Sequence, residues 1–151
     1  MRDEDLRTAL VMSARTRIDQ EPEYSYLAAR LLLDNMRSEA VSFVYNRMES
    51  PTLDEMKNQY GDYFSVYINR GVELELLDPE LSRYDLRKLA AAIKPERDLQ
   101  FTYLGLQTLY DRFFIHSGQT RIELPQAFFM RVAMGLAINE IDRETRAIEF
   151  Y

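Results

Sequence analysis

Arg97-Asp-Leu-Gln-Phe-Thr-Tyr-Leu-Gly-Leu-Gln-Thr-Leu-Tyr-Asp-Arg-Phe113, followed by Glu123-Leu-Pro-Gln-Ala-Phe-Phe-Met-Arg-Val-Ala-Met-Gly-Leu-Ala137, reads as two helices with a tight connection between them. The first stretch predicts a helix over Phe101 to Ile115. His116-Ser117-Gly118-Gln119 has turn composition. Arg121-Ile122-Glu123-Leu124 predicts a short strand with the residues before it, a hairpin within 113–124. Pro125 sits where a helix starts, since its missing N–H costs nothing in a first turn, and that helix continues through Leu136 to Ile138. Asp142 predicts the cap of a last helix. Ala147, Ile148, Phe150 and Tyr151 then end the chain without a Gly, Pro or basic stop signal, as expected of a chain cut within a longer protein.

Helical spacing continues toward the N-terminus. Leu6, Leu10, Val11, Ala14 and Ile18 form a stripe at intervals of three and four, and Asp3, Glu4 and Asp5 suit a helix start. Glu21-Pro22 breaks that helix. Tyr24, Leu27, Leu31, Met36 and Ala40 mark a second, which the pattern carries toward Met48. Ser50-Pro51 stops it, and Thr52 with Glu55 predicts a capping box for a third helix. This third helix holds Met56, Tyr60, Tyr63, Phe64, Tyr67 and Ile68, and Gly71 is expected to end it. Val72 to Asp98 reads as shorter helices and turns around Pro79 and Pro95, with Asp85 capping a helix to Ile93. The fold class expected is all-α with multiple helices.

Composition narrows the chemistry. Of 151 residues, 46% are hydrophobic, with 10 Tyr and 8 Phe, enough for a core of its own. No apolar run approaches the ~18 residues of a membrane span, and Arg2-Asp3-Glu4-Asp5 is no signal sequence, so a cytoplasmic protein is expected. The net charge of -6 argues against a phosphate-tracking nucleic-acid surface. Cysteine is absent, which removes disulfides, thiolate ligands and thiol nucleophiles.

The remaining candidates are weak. His116 is the one histidine, in a turn beside Gly118, and reads as a solvated loop residue. No Glu-x-x-His pair exists for a di-iron site, because Phe113 stands three residues before His116. Glu73 and Glu75 read as the wet face of an extended segment. Gly61, Gly71, Gly105, Gly118 and Gly135 lie too far apart for a phosphate loop. Tyr60, Tyr63 and Tyr67 hint at a radical relay but read better as packing at helical spacing. No catalytic, cofactor-binding or metal-binding residue is expected.

Two stretches resemble a known family. Glu21-Pro-Glu-Tyr-Ser-Tyr-Leu-Ala-Ala-Arg-Leu31, with the helix before it, is similar to the closing helices of an ATP-cone. Arg97 to Phe113, Glu123 to Ala137 and Ala147-Ile-Glu-Phe-Tyr151 resemble the helical N-terminal domain of class I ribonucleotide reductase large subunits. The resemblance implies two parts, the last two cone helices in 1–40 and the helical domain in 41–151, cut before the catalytic barrel. It implies an intact oxidoreductase that makes deoxyribonucleotides from ribonucleoside diphosphates for DNA synthesis by a cysteine-radical mechanism. Its radical would come from a metal-containing small subunit, and its nucleotide effectors would be ATP, dATP and other dNTPs. The barrel of the same subunit and the small subunit are the partners implied, with no nucleic acid and no membrane.

This chain holds none of the family's cysteines, so no substrate reduction is expected from it alone. It also departs from ATP-binding cones, which carry basic residues near the positions of Asn35 and Ser38. Arg37 alone keeps a charge there, too little for a triphosphate. The leading expectation is a non-catalytic scaffold with an exposed apolar patch for the barrel. Two alternatives are a free-standing helical interaction protein and a nucleotide-binding module using Arg30 and Arg37.

Overall fold

In a computed structural model describing residues 2–151, seven α-helices, two 3-10 turns and one small hairpin follow one another. Helix α1 spans Asp3–Arg15 and α2 Tyr24–Tyr45. Helix α3 spans Leu53–Glu73, and Thr52 and Glu55 form the capping box its sequence predicts. The 3-10 turns Pro79–Arg83 and Pro95–Gln100 flank α4, Leu86–Ala92, which Asp85 caps by accepting from Lys88 N. Helix α5 spans Tyr103–Arg112, and Thr102 caps it. Strands β1, His116–Ser117, and β2, Thr120–Arg121, pair antiparallel, His116 opposite Arg121. The strand thus falls on residues of turn composition and not on Arg121 to Leu124, where Ile122 O and Leu124 N turn instead to the Tyr63 hydroxyl. Gly118 takes a φ of 61° between them, a value that suits glycine in so tight a turn. Helix α6 spans Pro125–Ala137, and α7, Arg143–Phe150, is capped by Asp142. The all-α class with one short hairpin is therefore the observed class.

The main core is one apolar cluster. Tyr60, Tyr63, Phe64, Tyr67 and Ile68 of α3 meet Leu33, Met36, Ala40 and Val41 of α2, with Met130, Ala133, Met134 and Ala137 of α6 and Ala147 of α7. A smaller cluster of Val11, Ala14, Ala28 and Tyr103 ties α1 to α2 and α5. Helix α2 runs unbroken through residue 40 and serves both clusters.

Several expectations need correction. Leu6 and Leu10 are 45% and 48% exposed, because α1 lies chiefly against a single neighbour, α2, which covers a narrow strip. Leu27 of α2 is also exposed, while the small side chains of Ala28 and Ala29 are buried where α1 and α5 approach. Helix α2 stops at Tyr45, short of Met48. Asn46 turns left-handed there (φ 52°), and the Arg47 amide donates to Ser42 O. Helix α5 is shorter at both ends than Phe101 to Ile115, held by the Thr102 cap and the turn before the hairpin. Gly71 does not end α3. The helix continues to Glu73, and Glu75 (φ 58°) makes the left-handed turn. The amides of Leu76 and Glu75 then donate back to Gly71 O and Val72 O, a Schellman closure. Gly71 instead makes room for Leu77 folding back on it, since a Cβ there would lie 2.6 Å from Leu77 Cδ1. Glu73 and Glu75 are thus exposed at a helix end, not along an extended segment.

Candidate functional site

The densest polar chemistry lies inside the molecule, where the α3 tyrosines meet the chain entering α6. Spacings of three and four residues put Tyr60, Tyr63 and Tyr67 on one face of α3, each at most 1% exposed. Their rings follow one another at 5.8 and 5.9 Å between centroids, the first pair edge to face and the second stacked. Every hydroxyl finds a partner. Tyr63 donates to Ile122 O at 2.7 Å and accepts from Leu124 N at 3.2 Å. Tyr67 donates to the Glu123 carboxylate, which also takes the Arg131 guanidinium through two bonds of 2.7 and 3.1 Å and the amide of Ile115. Tyr60 donates to Asp98 Oδ2 at 2.9 Å.

Environment sets the protonation of these groups. Burial and the neighbouring carboxylates push all three phenols well above the ordinary tyrosine value, so they stay neutral donors. Asp98 is 5% exposed, and burial raises its carboxyl to about 7, against the opposing pull of its Gln126 and Tyr60 hydrogen bonds and the charge of Arg37. Phenol beside carboxylate is acid–base chemistry in principle. Here each group is already committed to a structural partner, and the arrangement acts as a clamp between α3 and residues 122–126.

The residues singled out in the sequence are scattered. His116 is exposed, with Nδ1 3.0 Å from Gly118 O. Arg37 turns into the core, 6% exposed, and donates to Asp34 at 2.8 Å, while Arg30, two turns earlier in α2, is exposed. Asn35 and Ser38 line a cleft of about 510 Å³ between α1 and α2. Its charged walls are Asp3, Glu4, Glu39 and Arg7. That balance is negative. Among the described residues, no three His, Asp or Glu side chains gather as a metal site would require.

Sequence reasoning missed Asp98, Glu123 and Gln126. The available signal was a polar residue set between apolar ones, as in Ile122-Glu123-Leu124, where a solvated carboxylate would have to sit on an otherwise buried segment.

On the outer side, α6 carries Phe129, Val132 and Leu136 at spacings of three and four, 37%, 38% and 68% exposed. Phe128 and Phe129 pack at 5.1 Å, and Phe113 and Phe101 extend that aromatic surface to either side. The result is an apolar ridge on the surface.

Residues 99–151 match the family model described as the ribonucleotide reductase all-alpha domain. The whole chain is 42% identical to a ribonucleoside-diphosphate reductase subunit alpha of Chlamydia trachomatis serovar D, and 43% identical to that of Chlamydia muridarum. It spans 14% of the length of each. The subunit alpha of Helicobacter pylori is 35% identical over 98% of this chain and 17% of its own length.

Proposed function

Because the chain belongs to the ribonucleotide reductase large-subunit family and matches its N-terminal region, we propose that it is the non-catalytic helical scaffold of such a subunit. In this reading residues 1–40 are the last two helices of an ATP-cone and 41–151 the helical domain, with α2 running through both. The intact protein is a cytoplasmic oxidoreductase that reduces ribonucleoside diphosphates by a cysteine radical, and this chain, without a cysteine, contributes no reacting group. The radical comes from a metal-containing small subunit, and ATP, dATP and other dNTPs act as effectors of the whole enzyme.

The observation that carries the scaffold role is the ridge of Phe129, Val132 and Leu136, beside the fact that this chain spans only 14% to 17% of the length of these relatives. An apolar surface of this kind is stabilised by being covered. We assign the catalytic domain of the same subunit as its cover. The test is to produce this chain and the remainder of the subunit as separate polypeptides and measure their association. Phe129→Asp with Leu136→Asp is expected to weaken association at least tenfold. Unchanged affinity would remove the ridge as the docking face. No described helix is long and apolar enough to cross a membrane, in keeping with this reading.

A further inference from the structure

Helix α6 has no cap of its own. Its N-cap residue is Leu124, whose side chain accepts nothing, and Pro125 brings no N–H. The first free amide, Gln126 N, donates across the molecule to Asp98 Oδ1 at 3.2 Å and to the Tyr60 hydroxyl at 3.1 Å. Asp98 belongs to the 3-10 turn Pro95–Gln100, so a carboxyl from another element does the work of an N-cap. The same node holds the end of the chain: the Tyr151 hydroxyl donates to Gln126 Oε1 at 2.7 Å and accepts from Lys94 N.

We propose that Asp98 is a proton-linked cap of α6, so that the seating of this helix on α3 and on the 95–100 turn depends on whether that carboxyl carries a proton. Its hydrogen-bond partners, a phenol and an amide, are neutral. The charged groups around it do not bond to it. Arg37, from α2, gives its hydrogen bond to Asp34, and its Nε has no partner. Arg97, on the same turn, lies over the Tyr151 ring. Tyr60 and Tyr63 face it from α3 and stay neutral, and the Tyr151 phenol is likewise raised by burial. Arginine does not deprotonate in proteins. Asp98 is thus the member of the node that changes charge near neutrality, its carboxyl raised to about 7.

The sign follows from linkage. An acid whose value is raised on folding binds its proton more tightly in the folded state, so folding is favoured below pH 3.8 and loses that advantage as pH climbs to about 7. Above that the contribution is flat. The unfolding constant is expected to rise by up to on the order of a thousand-fold across this window from Asp98 alone. Because α6 also carries Phe129, Val132 and Leu136, the same proton sets how firmly the ridge is held. The inference rests on the helical fold and stands independently of what covers that ridge.

The experiment is a carboxyl-carbon NMR titration of Asp98 in the unmodified chain, with denaturant unfolding from pH 4 to 8 for the chain and for Asp98→Asn. A midpoint near 7, the Gln126 amide resonance moving with it, and a loss of the pH-dependent component in the Asn variant support the cap. A midpoint in the ordinary carboxylate range, or a Gln126 amide indifferent to the Asp98 titration, overturns it. Since the titration uses the unmodified chain, a variant that fails to fold does not blunt the test.

Discussion

At the residue scale the molecule depends on carboxylates taken out of water. Glu123 is 1% exposed, and its charge is balanced by the forked pairing with Arg131 and by bonds from Tyr67 and the Ile115 amide. A buried pair of this kind adds little over an apolar pair of equal volume, but removing one partner strands the other's charge. Arg131→Met is therefore expected to destabilise the chain by about 3–5 kcal/mol. Denaturant unfolding reads this directly. A loss below 1 kcal/mol would mean that the Tyr67 and Ile115 bonds suffice for Glu123. The Asp98 prediction belongs to the same scale with the opposite chemistry: its partners are neutral, so the proton, not a cation, relieves the burial.

At the element scale, the ends of the helices carry the local information. Thr52, Asp85 and Asp142 each cap where the sequence places them, because a cap needs only an oxygen within three residues of an open amide, while Thr102 caps α5 inside the stretch read as already helical. The closure after α3 departs from that legibility. A glycine was expected to end the helix, yet Glu75 takes the left-handed position, and Gly71 is retained for the approach of Leu77. A side chain costs ~1–2 kcal/mol in that conformation, partly offset by the extra freedom glycine brings to the unfolded chain. Glu75→Gly is expected to stabilise the fold by about 0.5–1 kcal/mol, since the Glu75 side chain is exposed. A rise of a few degrees in Tm would bear this out, and a fall would show that Glu75 makes a contact worth more than its strain.

At the scale of the whole molecule, the helices enclose one main core and leave the outer face of α6 bare. Leu136 at 68% exposure contributes little to the fold itself. The isolated chain is expected to self-associate at high concentration through the ridge. Leu136→Asp should suppress that association while leaving the unfolding midpoint within about 0.5 kcal/mol of the parent. Sedimentation of the parent and of Leu136→Asp over a concentration series checks it, and equal self-association would place the sticky surface elsewhere. The helical class, the hairpin and the caps were legible in the order of residues, and so was the family resemblance carried by Arg97 to Phe113 and Glu123 to Ala137. Each rests on spacing or on neighbours a few positions away. Burial was not legible in the same way. Tyr63 meets Ile122 across 59 positions, Tyr67 meets Glu123 across 56, and Tyr60 meets Gln126 across 66. Whether a carboxylate is a solvated surface group or a buried partner, and whether a leucine on a helical stripe is covered or bare, depends on which distant element arrives beside it. That was decided only when α2, α3 and α6 closed on one another, because desolvation is set by every neighbour in space and not by the chain on either side.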